Sequence, residues 1–197
     1  MKHYMKFLTR IIPIIFLFSA LPLMAQDHDK KDKKKDKEEV VDQNERQRLI
    51  KDSKRAKKAF IDEDSRIQEH LNNAVGYAIF PNVGKGAWIL GGAAGNGVVF
   101  ENGQVVGFSE LRQVDVGFQF GGQAFRELII FRTQSALDKF KKGNFSFEGS
   151  ASAVVWDKGK GESIQFKDGI GVALMPKAGA MVGISIGGQE FDYRDAD

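Results

Sequence analysis

The placement of glycine constrains this chain most. All 22 glycines lie between Gly76 and Gly188, and residues 1–75 contain none. A glycine inside a helix or strand costs roughly 0.5–1 kcal/mol relative to alanine. A stretch that avoids it is free to be helical. A stretch that concentrates it needs compensation from close packing. The chain therefore divides into a helical or polar N-terminal part and a β-rich remainder whose small-residue faces admit another layer.

The glycine-rich part alternates as strands do. Val75, Tyr77 and Ile79 share one face, and Gly76, Ala78 and Phe80 the other. Val98–Phe100 and Val105–Phe108 flank Asn102-Gly103, a pair suited to the positive φ of a type I′ hairpin turn. Val114–Phe120, Glu127–Arg132, Phe145–Trp156, Gly171–Leu174 and Ala180–Ile186 read as further strands, with Asp157–Gly161 and Asp168-Gly169 as turns. Ser135-Ala-Leu-Asp138 reads as a capping box opening a short helix, which Gly143 ends. So much glycine in strands predicts a curled or closed antiparallel sheet.

Upstream, Lys2, Lys6 and Arg10 carry the whole net charge of +3, so the remainder is balanced and gives no basis for nucleic-acid binding. Ile11–Leu23 is apolar apart from Ser19, holds Pro13 and Pro22, and is too short to cross about 30 Å of hydrocarbon. Residues 1–25 read as an export signal ending at Ala25, with an uncleaved anchor as the alternative. Asp27–Glu39 sets six lysines against six acids, so residues 26–41 read as a charged, disordered linker.

Residues 42–73 then read as helix, with a break near Asp62–Ser65. Leu49, Ala56, Phe60, Ile67, Leu71 and Ala74 fall within about 60° of one another on a helical wheel. Arg48, Lys51, Lys54, Arg55 and Lys58 occupy the opposite arc. Two readings fit: a helix packed on a sheet with a solvated basic back, or a basic amphipathic helix that meets a membrane surface.

The chemical motifs are poor. Cysteine is absent and there are three histidines, His3, His28 and His70, so disulfides, thiolate metal sites and cysteine nucleophiles are excluded. Gly91–Gly97 has the spacing of neither a dinucleotide nor a phosphate loop. Gly183-Ile-Ser185-Ile-Gly187 fits the nucleophile-elbow pattern, but no histidine follows it and too little chain remains for the helix the elbow requires. Ser185 is expected to lie on a glycine-lined strand surface, and His70 at a surface or boundary. No catalytic residue, metal or cofactor is expected.

Five segments in order resemble one family. Asn73–Val83 (NAVGYAIFPNV) is similar to the opening of the SYLF domain, A-K-G-I-A-I-F-P. Gly91–Val98, Val116–Gln123, Ala136–Gly143 and Gly179–Gly188 resemble its later glycine-rich, G-x-Q-x-G-x-Q, A-L-x-K-F-x-x-G and closing motifs. Together they span about residues 73–188, so residues 42–197 read as one SYLF-like domain, helical over 42–73 and β-rich over 74–190. The resemblance implies a non-enzymatic lipid-binding module: relatives bind phosphoinositides partly through an N-terminal amphipathic helix, and some bind actin. An exported chain meets no actin, so the expectation is binding of anionic phospholipid headgroups at the periplasmic or envelope membrane surface. Lys51, Lys54, Arg55, Lys58 and Lys85 are the candidate lipid contacts. A structural or protein-interaction module of the envelope is the alternative. The expected fold is α+β, with N-terminal amphipathic helices packed on a curved, glycine-rich, mainly antiparallel or barrel-like sheet.

Overall fold

The computed structural model describes residues 28–84, 92–114, 124–143, 145–147, 153–155, 163–177, 186 and 188–196. The chain divides into two units, 1–41 and 42–197. Of the first, only the helical backbone from His28 onward is described; the side chains and packing below are those of the second.

Helix α1 spans His28–Glu63 and therefore begins inside the stretch read as a linker. Lysine and glutamate are good helix formers, and no glycine or proline interrupts the run. The expected break lies at residues 64–65, before α2 (Arg66–Asn72). Ser65 makes no capping bond there. Asp64 does the work instead, its Oδ1 accepting from the backbone N–H of Arg66 at 2.9 Å. The Arg66 side chain is bound to the same carboxylate, chiefly through a hydrogen bond, and this holds the Asp64 pKa below its ordinary value.

The strands are β1 (Gly76–Val83), β2 (Gly92–Glu101), β3 (Gln104–Val114), β4 (Phe125–Phe131), β5 (Phe145–Ser146), β6 (Ala153–Val155), β7 (Phe166–Lys167), β8 (Ile170–Pro176) and β9 (Gln189–Asp195), with α3 (Gln134–Lys141) between β4 and β5. They form one sheet in the order β5-β9-β3-β2-β1-β4-β8-β6, with β7 paired to β8 off that path. Every pairing is antiparallel except β6 with β8. Asn102 and Gly103, at φ 51° and 78°, make the predicted β2–β3 hairpin, and Asp168-Gly169 turns β7 into β8 the same way.

The sheet curls into a half-barrel. Four strand steps separate β9 from β4, about 19 Å along a flat sheet, yet Gln189 on β9 donates to Glu127 on β4 at 2.9 Å. The Phe80 ring of β1 likewise lies 5.5 Å from Phe191 of β9. The inner face is an aromatic-rich core of Ala78, Phe80, Ile129, Phe131, Phe145 and Phe191, covered by α3 through Leu137 and Phe140. The outer face carries Tyr77, Ile79, Val98, Phe100, Leu128 and Ile130, and receives the stripe of α1 and α2. Ala56, Phe60, Ile67 and Leu71 are buried as the periodicity predicts, while Leu49 is half-buried at the margin.

Three local readings need correction. The cap of α3 is Thr133, whose hydroxyl accepts from the Ala136 N–H at 3.3 Å, so Ser135 lies inside the helix. Of the strand read as Phe145–Trp156, the described residues form β5 and β6, which pair with different partners. A final strand, β9, follows the last predicted one. Ser185, Lys85, Trp156, residues 115–120 and residues 180–185 lie outside the described residues.

Candidate functional site

Burial of Phe60 and Ala56 fixes the rotation of α1 and turns the opposite arc to solvent. Lys51, Lys54, Arg55 and Lys58 are all exposed. Arg55 donates to Asp52 at 3.1 Å, and Lys58 reaches both oxygens of Asp62 at 2.6 Å. Side chains this open gain at most about 1 kcal/mol from such pairs, so both cations can be drawn toward another anion. Lys51 and Lys54 have no ion-pair partner among the described residues. The two acids are what the wheel overlooked: Asp62 sits on the basic arc itself and Asp52 on its flank.

The sheet adds two cations that sequence reasoning missed. Arg126 of β4 and Lys177, just after β8, stand where neighbouring strands β4 and β8 pair Arg126 with Met175. Arg126 Nη1 lies 3.5 Å from Met175 Sδ, and Lys177 Nζ donates to Asn82 Oδ1 at 2.9 Å. Neither has a carboxylate partner among the described residues. Lys177 is held below its ordinary pKa, first by partial burial and then by the charge of Arg126, with Asp52 of α1 acting in the opposite sense. The charge of Asp52, on the flank of the α1 arc, thus reaches Lys177. Arg126 was hidden in an apolar strand, and Lys177 at the mouth of a glycine-rich connection.

Other features are weaker. A groove of about 570 Å³ between α1 and β3 is lined by Asp42, Glu45, Arg46, Arg48, Phe108 and Arg194, and its charges are of both signs. Arg46 is spent within it, paired with Asp42 at 3.2 Å and lying over the Phe108 ring. His70 is a boundary residue: its Nδ1 lies 3.3 Å from Arg132 Nη2, and its ring meets Phe166 edge-on. Burial, then the charge of Arg132, lowers its pKa, which favours neutral imidazole. Among the described residues no group of three or more acidic, histidine or cysteine side chains is set to hold a metal, and no helix is long and apolar enough to cross a membrane.

A helix that buries one stripe on a curled sheet and turns a cationic arc to solvent defines a small α+β domain. Residues 112–197 match the model of the Ysc84 family, described as Las17-binding protein actin regulator, which is the SYLF domain family that the sequence motifs resemble. The match covers β4 to β9 and α3; α1, α2, β1 and β2 precede it. No curated protein matches the chain.

Proposed function

We propose that this chain is a non-enzymatic lipid-binding protein, exported and peripheral on the envelope membrane, that takes anionic phospholipid headgroups on α1. The family is one of lipid- and actin-binding domains. The observation that carries the reading is the exposed arc of Lys51, Lys54, Arg55 and Lys58, backed by a buried stripe and flanked by Arg126 and Lys177. Six cations stand against Asp52 and Asp62. At about 1 kcal/mol per cation near an anionic surface, the excess supplies about 4 kcal/mol at low salt and less as screening grows.

The test is co-sedimentation of the chain with phosphatidylglycerol, cardiolipin or neutral phosphatidylcholine vesicles at low and physiological salt. Binding is expected to need anionic lipid and to weaken steeply with salt. Replacing Lys51, Lys54, Arg55 and Lys58 by Gln should abolish most of it, and Arg126→Gln with Lys177→Gln should weaken it. Equal sedimentation of wild type and both variants would return the arc to a solvated face. Absence of any vesicle binding would favour a protein-interaction module of the envelope.

A further inference from the structure

Among the described residues, a buried cluster of polar side chains with two unpartnered oxygens lies inside the half-barrel, away from the basic arc. Glu127, Gln189 and Gln113 are buried at 0%, 0% and 3% exposure. Glu127 stands on β4, on the inward face with Phe125, Ile129 and Phe131. Gln113 and Gln189 are cross-strand partners on β3 and β9. One amide nitrogen ties the three: Gln189 Nε2 donates to Glu127 Oε2 at 2.9 Å and to Gln113 Oε1 at 3.2 Å.

Two oxygens are left without a hydrogen-bond partner, Glu127 Oε1 and Gln189 Oε1. Each would cost about 1–3 kcal/mol if it stayed so. Both belong to the two side chains that the Gln189 Nε2–Glu127 Oε2 bond already joins. In a carboxylic acid–amide pair, the amide N–H donates to one carboxyl oxygen, and the acid O–H returns to the amide oxygen. The Gln189 Nε2–Glu127 Oε2 bond is the first half, and one proton on Glu127 Oε1 supplies the second. Among the described residues no charged group competes for it. The neighbours of Glu127 in register are Phe80 on β1 and Leu174 on β8, and facing it across the interior are Gln189 of β9 and Gln113 of β3. No charged group among the described residues contributes to its shift, which comes from burial, with the Gln189 bond opposing it.

We propose that Glu127 and Gln189, backed by Gln113, are a proton-operated latch that holds the curled sheet closed from β4 to β9. With the proton in place the interior carries no net charge and both orphan oxygens are bonded. Without it, a bare carboxylate faces an amide oxygen in an apolar interior, and the two sheet regions are driven apart. The latch sits where β3 and β8 end and β4 and β9 begin, the end of the half-barrel from which the 115–123 and 178–188 connections leave.

Glu127 is raised to about 8 from an ordinary 4.5. The folded state therefore binds the proton more tightly than the unfolded chain. The stabilisation is complete below about pH 4.5 and is lost as pH rises through about 8. Between those values the folding constant falls about tenfold per pH unit from this group alone.

The test is urea unfolding of the full chain and of Glu127→Gln from pH 5 to 9. Glutamine keeps the size of the neutral acid and replaces its O–H donor by an N–H, so Glu127→Gln should fold and remain closed at every pH. The ratio of the two folding constants should shift in favour of Glu127→Gln by at least tenfold between pH 6 and 8. A ratio constant within twofold over that range overturns the proposal. If Glu127→Gln does not fold, wild type still decides. Its infrared spectrum at neutral pH in heavy water should show the carbonyl stretch of one protonated carboxyl that vanishes near pH 9. Absence of that band at neutral pH would equally overturn it.

Discussion

The clearest packing test is Gly97→Ala. Gly97 of β2 faces the interior beside Phe80 of β1. A Cβ built on Gly97 would lie 2.6 and 2.7 Å from two carbons of the Phe80 ring and 2.9 Å from the Ile79 carbonyl oxygen. Ordinary contacts begin near 3.4 Å, so the ring would have to retreat by most of an ångström. It has nowhere to go. Phe80 is fully buried, with Phe191 behind it at 5.5 Å. Adding a methyl to such a site costs about 1–3 kcal/mol, and the overlap with backbone oxygen places it toward the upper end. The backbone entropy recovered on replacing glycine returns about 0.5–1 kcal/mol. The expected net loss is about 2 kcal/mol. At a urea m-value of about 2 kcal/mol/M, that lowers the midpoint by about 1 M with m unchanged. Truncating the ring gives the internal control. Phe80→Ala is destabilising alone, but in that background Gly97→Ala should cost clearly less, because the methyl enters the space the ring has left and only the overlap with the Ile79 carbonyl oxygen remains. Gly103→Ala should behave differently. Nothing lies within 4 Å of its Cβ, and its cost comes from φ +78°, so Phe80→Ala should not change it. A Gly97→Ala loss below about 0.5 kcal/mol, or additivity with Phe80→Ala, would refute the view that Gly97 admits the Phe80 ring.

Phe60→Ala, which empties the centre of the contact between α1 and the sheet, should cost about 3–5 kcal/mol by thermal or urea unfolding. Thr133→Ala removes the side-chain cap of α3 and should cost about 1 kcal/mol, whereas Ser135→Ala should be nearly neutral. Replacing Lys51, Lys54, Arg55 and Lys58 by Gln together should leave unfolding nearly unchanged, at under about 0.5 kcal/mol per site.

The architecture was legible where one force dominated. The apolar stripe of residues 56–71 announced a helix pair and its buried side, and Asn102-Gly103 announced its hairpin. Two faces for β1 followed from simple alternation of Tyr77 and Ile79 with Ala78 and Phe80. What the sequence hid depended on contacts distant along the chain. The strand β9 reads as a charged tail until Phe191 and Tyr193 are seen to alternate inward against β3. Thr133 and Ser135 are equally good caps on composition, and the exit path of β4 chooses between them. The basic arc was visible, and so were Asp62 on it and Asp52 on its flank, which were passed over; the sheet cations were not visible, because they stand on other elements. Glu127 offered a signal that went unread: it is the one acid in Phe125–Phe131, at a position in phase with Phe125, Ile129 and Phe131.

The central claim is that the arc of α1 meets an anionic membrane, and the lack of native cysteine allows it to be tested by position. Single-cysteine variants Lys54→Cys, on the arc, and Ser135→Cys, on α3 over the opposite face of the sheet, can each carry an environment-sensitive fluorophore. With phosphatidylglycerol vesicles at low salt, the label at position 54 should shift to the blue and brighten, and the shift should vanish with phosphatidylcholine or added salt. The label at position 135 should not respond. A response at 135 with none at 54 would contradict the account and place the membrane contact on the other side of the sheet.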